Sequence, residues 1–231
     1  MSSEIVTDLP PGAAGFEVVP DVVDRSDVVN IAEQLERGAR ERSRAGARHL
    51  MGHPAVDAIA RDERLLSIAR RFLPAGPIPF RATLFDKSSR NNWLVVWHQD
   101  TALPLRRRRE VAGWGPWSVK GGVTYAHATA AALSRVIALR LHLDDSRADN
   151  GPLRVLPGTH ALGLLSETEI GSLTQEIRPV DCLVPAGGVV AIRALILHAS
   201  SKAESDLPRR VLHIEYADSL TIGDGLELAI A

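Results

Sequence analysis

A chain of 231 residues with 45% apolar and 24% charged residues has the composition of one soluble globular domain, not of a disordered, collagen-like or coiled-coil chain. Its length suffices to bury a core without staples, and its single cysteine, Cys182, excludes an internal disulfide framework. Lys plus Arg number 27 against 28 Asp plus Glu, a net charge of −1, which leaves no footprint of a general nucleic-acid binder. The start, Met1-Ser2-Ser3-Glu4, lacks a basic and apolar leader, and no window is apolar enough for a membrane span. The expectation is a cytoplasmic protein with neither membrane nor nucleic acid as partner. Its oligomeric state is not encoded in any pattern we read.

Residues 1–23 read as a lead-in with Pro10-Pro11-Gly12 and a short apolar run. A helix follows, with Ser26 as N-cap and Val28, Ile31, Ala32 and Leu35 on one face. A basic, glycine-weakened stretch runs from Arg37 to Arg48. Leu65, Ile68, Ala69 and Phe72 mark a second helix, broken by Pro74-Ala75-Gly76-Pro77. From there the period becomes strand-like. Strands are expected at Phe80–Phe85, Trp93–Trp97, Arg135–Leu143, Leu153–Leu156, Gln175–Pro179, Val189–Ile192, Ala194–Leu197 and Arg210–Tyr216. Residues 102–131, rich in Gly and Pro, read as a long irregular flap. The whole is one domain over 1–231, mainly β with flanking helices: a helical part at about 24–76 and a strand-rich part at about 78–217.

Two strands alternate unusually. Leu139, Leu141 and Leu143 oppose Arg140, His142 and Asp144, and Leu212, Ile214 and Tyr216 oppose Arg209, Val211, His213 and Glu215. Either the polar faces meet solvent, or they line a polar interior while the apolar faces pack under the helices.

His98 and Asp100 stand at i and i+2, so on an extended chain both project to one side and can share a divalent metal. Alone, such a pair is also common at surfaces. His198, at the end of an apolar run, is either a satisfied core histidine or a third ligand. Two histidines and a carboxylate leave adjacent positions open on iron(II) for a bidentate acid and dioxygen. Arg209 offers a guanidinium for the far carboxylate of such an acid, or else a surface salt bridge.

The set His98-x-Asp100, His198 and Arg209 resembles the iron(II)/2-oxoglutarate dioxygenases of the phytanoyl-CoA dioxygenase family. So do Phe85-Asp86-Lys87, Asn92-Trp93, the segment from Asn150 through Pro157-Gly158-Thr159-His160, and His198-Ala199-Ser200. The resemblance spans about residues 25–217 and implies a double-stranded β-helix, a jelly-roll or cupin-like barrel of about 78–217, with the polar strand faces inside. It implies that His98, Asp100 and His198 hold Fe(II) as the catalytic centre. Arg209 and Ser200 take 2-oxoglutarate, with Thr101 and Lys87 as further contacts, although Lys87 reads equally as a solvated lysine. Arg140 and His142 are expected to face the pocket, Trp97 and Gln99 to support the loop, and His160 to be structural. Because Asp100 is present where related halogenases carry a small residue, the resemblance implies hydroxylation over halogenation. Oxygen and 2-oxoglutarate would be consumed, with release of succinate and carbon dioxide.

The flap, about 101–131, carries Arg106-Arg107-Arg108-Arg109, either a solvated run or a cationic rim for an anionic substrate. Trp114 and Trp117 are candidate walls of the pocket, or anchors of the loop. The expected substrate is a small or medium organic molecule. The alternative is a jelly-roll protein that binds a small organic acid or a metal without turnover.

Overall fold

The computed structural model describes residues 12–38, 46–88 and 91–231. Residues 1–11, most of the basic stretch between Arg37 and Arg48, and residues 89–90 lie outside the described residues. Three α-helices lie between Arg25 and Phe72: α1 (Arg25–Gly38), α2 (Pro54–Ala60) and α3 (Glu63–Phe72). The two expected apolar stripes are buried as read, Val28 and Leu35 in α1 and Leu65, Ile68, Ala69 and Phe72 in α3. α1 begins one residue before the expected cap, so Ser26 sits inside its first turn. Asp62 caps α3 by accepting from the Arg64 amide at 2.9 Å. α2 has only seven residues, too few for a periodic signal, and starts on Pro54.

A six-stranded antiparallel sheet holds, in order, β1 (Phe16–Val19), β11 (Val189–Arg193), β8 (Val136–His142), β13 (Arg209–Ala217), β3 (Ile78–Lys87) and β2 (Gly46–Arg48). Its outer face packs under the helices through Leu139, Leu141, Leu212 and Ile214. The Tyr216 hydroxyl clamps it to the Ala60 carbonyl of α2 at 3.0 Å. A second antiparallel sheet holds β10 (Val180–Cys182), β9 (Leu153–Val155), β12 (His198–Ser200) and β4 (Val95–His98). Ala138, Val190 and Ile192 of the first sheet share an apolar cluster with Leu153, Val155 and Cys182 of the second. Thus the polar face of the alternating strands turns inward, and the solvent-facing alternative is excluded for Arg140, His142, His213 and Glu215, all buried. Asp144 departs from that pattern: past the end of β8, it pairs with Arg210 at 2.8 Å on the outside. The two sheets are separate ladders; none closes into a barrel among the described residues.

The expected irregular flap is largely ordered. β5 (Ala102–Leu105), β7 (Val123–His127) and β6 (Trp117–Lys120) form a three-stranded antiparallel sheet. Beneath it, Leu103, Leu105, Trp114 and Ala126 pack with Leu226 and Leu228 from the C-terminal segment. Strands of four or five residues in a glycine-rich segment carry too little periodicity to be recognised in isolation. The arginine run is mostly occupied: Arg106 pairs with Glu227 at 2.7 Å and Arg108 with Glu110 at 2.6 Å, while Arg109 donates to the Asp224 carbonyl.

Two expected strands are displaced. Gln175 belongs to α5 (Glu167–Glu176), which follows the short α4 (Ala130–Leu133); the strand starts later, at Val180. A capping box of Ser166 and Glu169 starts α5, yet α5 buries no residue, so no apolar stripe announced it. Ala194–Leu197 is a buried turn whose Leu197 amide donates to the Thr159 hydroxyl at 2.9 Å. Its apolar content reflects burial, not strand geometry. No helix among the described residues is long and apolar enough to cross a membrane.

Candidate metal centre

Strands β4 and β12 lie side by side, and their register pairs His98 with His198. The two imidazole rings stand 4.3 Å apart at 51°. The chain then bends so that the Asp100 amide donates to the Ala194 carbonyl at 3.1 Å. This returns the carboxylate to the histidines, with Oδ1 3.8 Å from His98 Nε2 and Oδ2 3.5 Å from His198 Nε2. The three ligand atoms lie within 4.8 Å of one another, a group that can hold a metal ion.

The ring hydrogen bonds leave the ligand nitrogens free. His98 Nδ1 donates to the Val96 carbonyl at 2.8 Å, and His198 Nδ1 to the Ile196 carbonyl at 3.0 Å. A carbonyl only accepts, so each Nε2 keeps its lone pair, turned to the shared centre. Burial pushes His198 down to about 4, against the attraction of Asp100, so its ring is neutral near pH 7. Burial alone would raise the Asp100 carboxyl, but His198, His213, His98 and Arg81 outweigh it and hold it well below the usual carboxylate range. His98 and Asp100 keep 37% and 31% of their side chains exposed, so the centre is reachable from outside. Gln99, between them, pins the loop: its amide donates to the carbonyls of Gly163 and Leu195 at 2.8 and 2.7 Å and accepts from the Leu165 amide at 2.9 Å.

From the triad a cavity of about 110 Å³ runs between the sheets to Lys87, Arg140, Ser200 and Arg209. A larger groove, about 580 Å³, lies outside the sheets against α1 and Arg210. At the inner end of the cavity, the Ser200 hydroxyl accepts from Lys87 Nζ at 2.8 Å and from Arg209 Nη2 at 3.2 Å. It donates to the Gly151 carbonyl at 2.8 Å, which uses its full bonding capacity. Lys87, Arg140 and Arg209 are all more than nine-tenths buried, and among the described residues no carboxylate forms an ion pair with any of them. Burial, with Arg209 and Arg140 beside it, pushes Lys87 down to about 8; burial and Arg140 push Arg209 down to about 9. Arg209 Nη1, Arg140 Nε and both ring nitrogens of His142 have no hydrogen-bond partner. Buried donors without acceptors are costly, and three buried cations with no ion-paired acid fit an anion.

The other expected site residues lie elsewhere. Thr101 and both flap tryptophans are not among the residues lining this cavity. The Thr101 hydroxyl contacts His127 Nδ1 at 2.7 Å. Trp114 is buried in the apolar cluster under the three-stranded sheet, and Trp117 packs against it below the Arg108 guanidinium. His142 is fully buried behind the pocket lining, and His160 packs on Gly15.

Sequence reading missed Arg81, which ion-pairs with Glu215. Glu215 and His213 in turn form a second cluster with Asp100, their ligand atoms within 4.8 Å. Arg140 donates from Nη1 to His213 Nδ1 at 3.0 Å. The signal was present: Arg81, Thr83, Phe85 and Lys87 alternate along β3, the side facing His213 and Arg209 in register.

A family model described as Phytanoyl-CoA dioxygenase (PhyH) matches residues 13–211. Among solved structures, AviO1 from Streptomyces viridochromogenes Tue57 is 21% identical over 90% of this chain and 91% of its own, with a TM-score of 0.65. The non-heme alpha ketoglutarate dependent epimerase SnoN from nogalamycin biosynthesis is 18% identical over 91% of this chain and 81% of its own, with a TM-score of 0.67. EctD from S. alaskensis is 18% identical over 93% and 80%, with a TM-score of 0.68. At such identities the likeness is one of fold. No curated protein matches the chain in sequence.

Proposed function

This chain belongs to the phytanoyl-CoA dioxygenase family, and on that premise we propose that it is a cytoplasmic iron(II)- and 2-oxoglutarate-dependent oxygenase. It hydroxylates a small or medium organic molecule. The two facing sheets are then the halves of a double-stranded β-helix. His98, Asp100 and His198 hold the iron through Nε2, a carboxylate oxygen and Nε2. Arg209, Ser200 and Lys87 receive the distal carboxylate of 2-oxoglutarate, Arg140 lies against its body, and His142 acts at one remove, from behind the lining. Thr101, Trp114 and Trp117 act at one remove, by holding the flap sheet.

One observation carries this reading. A two-histidine, one-carboxylate centre opens into a cavity whose far end gathers three buried cations without a paired acid. Such a cavity suits a dicarboxylate with one end on the metal and the other on Arg209. When bound, the iron would supply the oxidation of 2-oxoglutarate by dioxygen and the oxidation of substrate. The chain's own residues orient and shield. The carbonyls of Val96 and Ile196 fix both imidazoles, Gln99 fixes the loop between ligands, and Ser200 spaces Lys87 from Arg209. Asp100 occupies the third ligand position, which favours hydroxylation over halogenation.

The test is anaerobic titration of the iron(II)-loaded protein with 2-oxoglutarate, read by calorimetry. Saturable binding that requires both iron and Arg209 is expected; no binding to the iron-loaded protein would overturn the reading. Binding followed by no succinate on admitting air would favour a non-catalytic binding protein.

A further inference from the structure

The inner face of β3 carries Lys87 at one end and Arg81 toward the other, six residues apart, or about 20 Å of strand. The metal centre lies between them. Asp100 shares its second cluster with Glu215, Glu215 ion-pairs with Arg81, and the Arg81 guanidinium lies 5.7 Å from the centre of the Tyr125 ring. Tyr125 is buried, and it gathers the remaining groups. Its hydroxyl meets His49 Nε2 at 2.9 Å, and the Lys120 ammonium stands 5.1 Å from its ring centre. His49 holds its place with a left-handed backbone (φ 60°), and Gly121 passes so close that a Cβ there would lie 3.1 Å from its ring. β2 and the β6–β7 turn are therefore packed together here, and the groups they present are not incidental.

The charge of this pole does not balance. Glu215 is engaged by Arg81, and the Asp100 carboxylate is turned to His98 and His198. Arg48 and Lys120 are exposed, and among the described residues neither forms an ion pair. Arg81 and Lys120 both stand over the Tyr125 ring, and Arg48, next to His49 on the chain, acts with Arg81 on His49 and Lys120, so the cations gather around the His49–Tyr125 pair. The arginine run of the flap, by contrast, is largely spent on internal contacts.

We infer that Arg48, His49, Lys120 and Tyr125 form the subsite that receives an anionic group of the substrate, a carboxylate or a phosphate. Calling that ligand the substrate rests on the oxygenase reading; the anion site itself does not. The two cations supply charge, and the His49–Tyr125 pair supplies a directed hydrogen bond at the floor. Phosphate and carboxylate share this chemistry. A wholly apolar substrate would leave the pole unpaired.

The test follows the His49 ring resonances by NMR, identified by their loss in His49→Gln, during separate titrations with inorganic phosphate and with sodium acetate. Sodium chloride at equal ionic strength is the control. A saturable shift with at least one of the two anions is expected, and which anion it is names the source. The surface variant Arg48→Gln/Lys120→Gln should weaken that binding about fivefold or more, the sum of two exposed charge pairs. No saturable shift with either anion, a shift reproduced by chloride, or equal binding in the double variant would overturn the inference. The readout needs neither iron nor turnover, so its failure is distinguishable from failure of the oxygenase reading.

Discussion

Replacing Arg209 with Met separates a functional cation from a structural one. Arg209 is 3% exposed and is pushed down to about 9 by burial and by Arg140. Against its usual value of 12.5, at about 1.4 kcal/mol per pH unit, its charge costs the fold up to about 5 kcal/mol near pH 7. Removing it forfeits the hydrogen bonds to the Asn150 carbonyl and to Ser200, about 1–2 kcal/mol each, and leaves some packing defect of about 1 kcal/mol. The balance is zero to slightly positive. The metal-free variant should melt at the wild-type temperature or a few degrees above it, at roughly 2–4 °C per kcal/mol for a chain of this size. Binding of 2-oxoglutarate to the iron-loaded variant should weaken about 30-fold or more, since a buried charge-assisted pair is worth at least about 2 kcal/mol. At a 2-oxoglutarate concentration that saturates the iron-loaded wild type, the rise in melting point should be clearly smaller in the variant than in the wild type. Scanning calorimetry and titration calorimetry give both numbers. A drop of more than about 5 °C with unaltered 2-oxoglutarate affinity would refute the reasoning and make Arg209 a structural residue.

Three further outcomes are expected. His198→Ala should abolish iron binding measured by equilibrium dialysis; retained stoichiometric iron would remove His198 from the ligand set. Gln99→Ala frees the loop between two ligands and should weaken iron binding about tenfold with the ligands intact, and unchanged affinity would show that the loop holds without it. The third concerns acid. The folded-state value of His198 lies near 4, below its ordinary 6.5, so between these the unfolded chain binds more protons. Metal-free stability should therefore fall as pH drops from 6.5 toward 4, by up to about 1.4 kcal/mol per pH unit from this group, with His142 adding in the same direction. His198→Gln should flatten the slope, and an unaltered slope would contradict the assignment.

The cluster of His98, Asp100 and His198 was more legible in the sequence than the fold around it. Alternation in β8 and β13 put Arg140, His142, His213 and Glu215 on one face; burial then decided that this face is the interior. The stripes of α1 and α3 were readable because each buries a full face. α5 was not, because it buries nothing. The buried turn before His198 imitated a strand, because an apolar run records burial without recording direction. The fate of the arginine run could not be read locally, because Glu227 and Asp224 lie more than a hundred residues away. The Arg81–Glu215 pair was hidden for the same reason: strand register joins residues whose sequence separation says nothing.

The central claim is that the iron centre and the cationic end of the cavity work together in one oxidation. Oxygen uptake and succinate release should be followed together in the iron-loaded protein supplied with 2-oxoglutarate, beside His198→Ala. Equal oxygen uptake and succinate formation in the wild type, slow without substrate and absent in the variant, is the expected result. Oxygen uptake without succinate, or succinate at the same rate in His198→Ala, would contradict it.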